Sequence, residues 1–190
     1  ALGMIYHVQG SYGHARDHYY KSLAIEEALG DQASAAATLH QLGSIDLAQG
    51  NYASARSYYD RSLSLAQAIG DKSGISAALH QLGVVCQNQG DYDRARKSYD
   101  QSLRLAQEMG DRAGVASTLH QLGMIYAEWG KYVPARRYFT YSLKLRESLG
   151  DRLGIECSLQ QLGNLHLLVG QYAEAHEQYE RSLALAEELN

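Results

Sequence analysis

Histidine, cysteine and arginine are the residues of this sequence whose types and spacing suggest chemistry. His40, His80 and His120 recur at a constant interval of forty residues, each followed by glutamine, as Gln41, Gln81 and Gln121. Three imidazoles in register invite a metal reading. Zinc, however, takes its ligands at about 2.0–2.1 Å, whereas equivalent positions of stacked helix pairs lie about 10 Å apart. One ion cannot bridge them, so no metal and no cofactor is expected. Cys86 and Cys157 lie far apart and outside any CxxC, which indicates neither a zinc site nor a disulfide framework. Arg16, Arg56, Arg96 and Arg136 form a second ladder. Acidic residues run among them (Asp17, Asp60, Asp93, Asp100), as on a salt-bridged solvent face. An activated nucleophile, a carboxylate pair and a phosphate loop are all missing from the motifs, so no enzyme is expected.

The elements that position these residues repeat as well. His40-Gln41-Leu42-Gly43 returns at 80 and 120 and, altered, as Gln160-Gln161-Leu162-Gly163. A strict period in this range signals a repeat architecture. Its units fall at 1–30 (truncated), 31–70, 71–110, 111–150 and 151–190. Each full unit reads as two helices. Helix A of the second unit runs over about 32–49 and ends at Gly50, and helix B runs over about 52–69 and ends at Gly70. Glycine suits the left-handed cap position, and Ser11, Asp31, Asn51 and Asp71 stand where side chains cap the following helix. Nine helical segments and no strand are expected. Gly43, Gly83, Gly123 and Gly163 sit inside helix A at a cost of about 1 kcal/mol each. The expected reason is close approach of Ala55, Ala95, Ala135 and Ala175 on helix B. The opening segment reads as the back half of a helix A, as in a chain cut from something longer.

The net charge of −4 gives no support for nucleic-acid or anionic-membrane binding. No apolar run reaches the roughly 20 residues of a membrane span, and a reducing cytoplasm is the expected location. Leu183, Leu185 and Leu189 on the last helix, with the incomplete first unit, lead to an expectation of end-to-end self-association.

Leu119, Leu122, Gly123, Tyr126, Ala135 and Phe139 fit the pattern of the tetratricopeptide repeat, and the sequence resembles that family along its whole length. The period of forty and the Gly-Asp junctions are similar to an extended subclass found in animal spindle-orientation adaptors and bacterial signalling proteins. The resemblance implies an all-α, right-handed superhelical solenoid of antiparallel helix hairpins, with helix A lining a concave groove. It implies a protein–protein interaction scaffold that binds a peptide or helical segment there. The alternative is a ligand- or peptide-sensing arm of a larger bacterial regulator. Carried over by position, the groove residues are His40, His80, His120 and Gln160, then Gln41, Gln81, Gln121 and Gln161. One turn on come Ser44, Val84, Met124 and Asn164, followed by Gln87, Asn88 and Glu128. Pairing of His with Gln between units remains the purely structural alternative. If the histidines face the groove, acidification toward pH 5.5 would charge them.

Overall fold

The computed structural model describes residues 2–187, and every element in that range is helical. Among the described residues there are ten helices rather than nine: the short opening helix and nine longer ones. They are α1 (Leu2–Val8), α2 (Tyr12–Leu29), α3 (Gln32–Ala48), α4 (Tyr52–Ile69), α5 (Lys72–Asn88), α6 (Tyr92–Met109), α7 (Arg112–Glu128), α8 (Tyr132–Leu149), α9 (Arg152–Leu168) and α10 (Tyr172–Glu187). No strand occurs among the described residues. Successive helices pack as antiparallel hairpins, the arrangement of an all-α solenoid. The chain forms two compact units that divide within α6, between Leu105 and Ala106. Leu189 lies outside the described residues.

The turns follow from glycine. Gly50, between α3 and α4, has φ 74°, and Gly70, between α4 and α5, has φ 71°. Both are left-handed conformations that glycine adopts without a Cβ penalty. The Asn51 and Asp71 amides then bond back to the Asp46 and Ala66 carbonyls at 2.8 and 2.9 Å, closing off each preceding helix. Side-chain capping is more selective than the sequence suggests. Asp31, Asp111 and Asp151 accept from the backbone N–H three residues on, at 3.1, 2.9 and 3.0 Å. Ser11, Asn51 and Asp71 make no such bond.

The small residues of helix A serve a different partner from the one expected. A Cβ on Gly43 would lie 2.8 Å from the Tyr59 ring, and one on Gly83 would lie 2.6 Å from Tyr99. On Gly123 it would lie 2.6 Å from Phe139, and on Gly163 2.7 Å from Tyr179. Helix A is notched to seat an aromatic ring of helix B, one turn beyond the alanine. Ala55, Ala95 and Ala135 are fully buried, but no alanine atom is among the nearest to these glycines. A buried serine completes each hairpin. Ser62 Oγ donates to the Ala36 carbonyl at 2.8 Å, Ser142 Oγ donates to Ala116 at 2.8 Å, and Ser102 Oγ donates to Ser76 at 2.9 Å. The same serine stands at 22 and 182, a periodic signal that the motif search passed over.

Candidate functional site

The expected groove residues divide into three groups. The histidines turn inward. His40, His80 and His120 set their rings against Tyr59, Tyr99 and Phe139, with centroids 5.2, 5.4 and 5.3 Å apart and planes inclined by 60–65°. Burial against these rings pushes each imidazole below its ordinary pKa, because a charged ring loses hydration there. For His120 the value falls to about 4, and the Arg146 cation adds to the burial. Burial thus opposes the charging of this column expected near pH 5.5, and at His120 the imidazole stays neutral there. His120 Nδ1 is buried without a hydrogen-bond partner, so it does not pair with a glutamine.

The second group is tied up within its own hairpin. Ser44 Oγ donates to the His40 carbonyl at 3.1 Å and lies 3.2 Å from the Tyr59 hydroxyl. Gln87 Oε1 accepts from Tyr99 at 3.0 Å, and Asn164 Oδ1 accepts from Tyr179 at 2.7 Å. Asn88 Nδ2 donates to the Val84 carbonyl at 2.8 Å, and Gln160 Nε2 donates to Glu156 at 3.1 Å. Val84 and Met124 are half-buried, while Glu128 is exposed.

The third group is Gln41, Gln81, Gln121 and Gln161. Their side chains are half-buried and bond to no other group among the described residues. Each amide has two N–H donors and a carbonyl acceptor to offer. Around Gln41 the surface is made mostly of small residues, with Asp71 as its one formal charge. Between α3 and α5 a cleft of about 250 Å³ is bordered by Ala33, Ala37, His40, Gln41, Ser73 and Ala77. Ala33, Ala37 and Ala77 escaped the family offsets because these began one turn too late. Spacing of four from Gln41 and Gln81 toward the helix start puts them on the same face. In the second unit, Ser117 and Cys157 hold the matching places ahead of Gln121 and Gln161.

The arginine ladder is only partly a surface feature. Asp46 is 4% exposed and occupies the tyrosine place of the repeat. Arg16 reaches it at 2.5 Å from the preceding hairpin, and Ser54 Oγ donates to its other oxygen. Arg56 and Arg96 pair along their own helices with Asp60 and Asp100, at 3.8 and 3.3 Å. Arg136 has Thr140 at that position, and the threonine hydroxyl donates back to the Arg136 carbonyl at 2.8 Å. No helix of the described residues is long and apolar enough to cross a membrane.

Comparison with known proteins agrees with this architecture. No curated protein matches the sequence. Among solved structures, BtubC (BKLC) from P. vanneervenii superposes with a TM-score of 0.89 at 18% identity, covering 100% of this chain and 78% of that one. A Rap protein, solved in complex with the Competence and Sporulation Factor, gives 0.86 at 18% identity over 98% of this chain and 52% of its own. A signal-transduction ATPase of Pyrococcus horikoshii with a tetratricopeptide repeat sensor gives 0.84 at 19% identity, over 97% of this chain and 28% of its own. The family model of the tetratricopeptide repeat matches residues 1–68, 74–148 and 135–188, so nearly every residue is covered, and the chain belongs to the tetratricopeptide repeat family.

Proposed function

We propose that this chain is a protein-interaction scaffold whose helix-A faces hold a peptide or helical segment of a partner. The observation that carries this reading is the set of half-buried amides without internal partners, Gln41 and Gln81 in the first compact unit and Gln121 and Gln161 in the second, with small residues and Asp71 beside Gln41. Desolvating an amide that finds no partner is costly, so a bound backbone that satisfies it gains both affinity and register. The Rap protein, crystallised with the Competence and Sporulation Factor, shares the fold. In this proposal the unit of forty residues with Gly-Asp junctions is the extended form of the repeat, working in the cytoplasm. A second reading, a sensor arm of a larger regulator, is favoured by the likeness to the ATPase with a repeat sensor, of which this chain spans about a quarter.

The face is nearly uncharged, so affinity should change little between low and high salt. A peptide selected from a random displayed library and titrated by calorimetry tests the assignment. Gln81→Ala is expected to weaken it about tenfold, the effect of losing one well-placed contact, while Arg96→Ala on α6 leaves it unchanged. The reverse pattern would move the partner to the helix-B side and end the proposal.

A further inference from the structure

The α7–α8 hairpin breaks the repeat at several positions that the fold gathers into one place. Trp129 stands where the earlier hairpins have Gln49 and Gln89. Pro134 replaces Ser54 and Arg94, and Tyr141 replaces Arg61 and Gln101. Tyr126 stacks on Tyr138 with centroids 5.3 Å apart and planes inclined by 12°. On its other side it meets Trp129 at 6.1 Å and 28°. Beside this stack, Tyr126, Pro134, Arg137, Tyr138 and Tyr141 enclose a cleft of about 260 Å³. Tyr141 is 53% exposed at its edge.

The rim is basic. Helix α8 carries four basic residues and one acidic residue. Lys131 Nζ sits 3.2 Å over the Trp129 ring. Arg137 lines the cleft, is exposed and forms no ion pair among the described residues, whereas Arg16, Arg56 and Arg96 all do.

We propose that the α7–α8 cleft docks a proline-rich segment of a partner protein that carries carboxylates beside its prolines. A polyproline II segment has no internal hydrogen bonds and a pre-set backbone, so it loses little entropy on binding. Aromatic-lined clefts receive its flat pyrrolidine rings. The cleft is smaller than a typical site for a whole small molecule, which suits one or two residues of a chain. The unpaired Arg137 in the lining selects an acidic neighbour over a basic one. This surface lies on the helix-B side of its hairpin and is independent of the glutamine column.

Trp129 is the single tryptophan of the chain, so its fluorescence reports binding directly. The probes are an oligoproline peptide ending in two glutamates, the same peptide ending in two lysines, and a glycine–serine peptide ending in two glutamates. The acidic oligoproline is expected to shift the emission saturably and to bind at least about tenfold tighter than either control. Tyr141→Ser should weaken it by a similar factor, Arg137→Glu should transfer the preference to the lysine peptide, and Gln121→Ala should change nothing. Both altered side chains are exposed, so neither substitution touches the core. Equal binding of the acidic glycine–serine peptide, an unchanged affinity in Tyr141→Ser, or no saturable response to the acidic oligoproline would each overturn the proposal.

Discussion

In the α3–α4 hairpin, the Tyr59 ring lies over Gly43 with its edge against His40. In the α7–α8 hairpin, Phe139 lies over Gly123 and against His120 in the same way. Outside this interior the two hairpins part. Asp46 of the first is buried and held by Arg16 and Ser54. Its counterpart Tyr126 joins an aromatic stack. Ala66 of α4 is fully buried, while its counterpart Arg146 donates to the Gly154 carbonyl at 2.6 Å and to Ser158 Oγ at 3.1 Å. The hairpin keeps its closing contact constant and changes what it shows to its surroundings. Interior substitutions should therefore act alike in both hairpins, and peripheral ones should not.

The largest expected effect tests the shared interior. Tyr59 and Phe139 are both essentially inaccessible to solvent. Tyr59→Ala and Phe139→Ala should each cost about 3–5 kcal/mol, the usual loss for a buried aromatic. Chemical denaturation checks this, and a gap well beyond 1 kcal/mol between them would break the equivalence. Tyr179 of α10 is only half-buried, so Tyr179→Ala should cost visibly less.

The periphery should show itself in acid. A histidine whose folded pKa lies below its unfolded value takes up its proton more readily when unfolded. Its contribution is intact above about pH 6.5, the unfolded value, and drains away as the pH falls toward the folded value. For His120 that window runs from about 6.5 to about 4, and the loss across it is about 3 kcal/mol at 1.36 kcal/mol per pKa unit. His40 is shifted by burial alone, without an added cation. His120→Gln should therefore flatten the acid limb of the stability curve more than His40→Gln does. Equal effects would mean that Arg146 plays no part.

Much of the fold was legible because its signals are local. Gly-Asp junctions, helical periodicity and the Leu-Gly pair each act within a few residues. The contents of the hairpin were not, because they depend on which residue crosses from the other helix. Gly43 announces that something comes close, but Ala55 and Tyr59 stand one turn apart on the same helix, and only the fold decides between them. The histidines looked like groove residues for the same reason, since their burial is supplied by rings sixteen or more residues away in sequence. The recurrence of Gln41 was visible from its spacing, while its place on a groove was implied only by the family resemblance. The Asp46–Arg16 pair was hidden by a separation of thirty residues between neighbouring hairpins.

A smaller effect sharpens the account of the notch. Alanine is worth about 1 kcal/mol over glycine in a helix, so Gly43→Ala or Gly123→Ala would stabilise if space were free. The added methyl instead meets a fully buried ring at 2.8 or 2.6 Å. Overpacking of this kind costs about 1–3 kcal/mol, and the net change should be a loss of about 1 kcal/mol in both hairpins. Gly163→Ala faces the half-buried Tyr179, which has room to swing outward, and should come out near neutral by thermal denaturation.

The smallest effect separates two kinds of helix start. Asp111 accepts a hydrogen bond from the Gly114 N–H at 2.9 Å, which satisfies one of the donors left open at the first turn of α7. Replacing such a cap with alanine typically costs about 1 kcal/mol. Asn51 and Lys131 occupy the equivalent places ahead of α4 and α8 but make no side-chain bond. Asn51→Ala should thus change stability by a few tenths of a kcal/mol at most, the scale of an ordinary surface substitution, while Lys131→Ala also loses the contact with the Trp129 ring. The Asn51 and Lys131 backbone amides bond back to the Asp46 and Tyr126 carbonyls, both at 2.8 Å. The B-to-A turns have the same backbone closure, and Asp91 caps the A-to-B start of α6 by accepting from the Arg94 N–H at 3.1 Å, so the difference lies in the cap bond and not in the kind of turn. Asp71 adds an internal control: it shares the sequence of the capped junctions but forms no cap bond, so Asp71→Ala should resemble Asn51→Ala. If it costs as much as Asp111→Ala, the aspartates act through their charge on the helix dipole and not through the hydrogen bond.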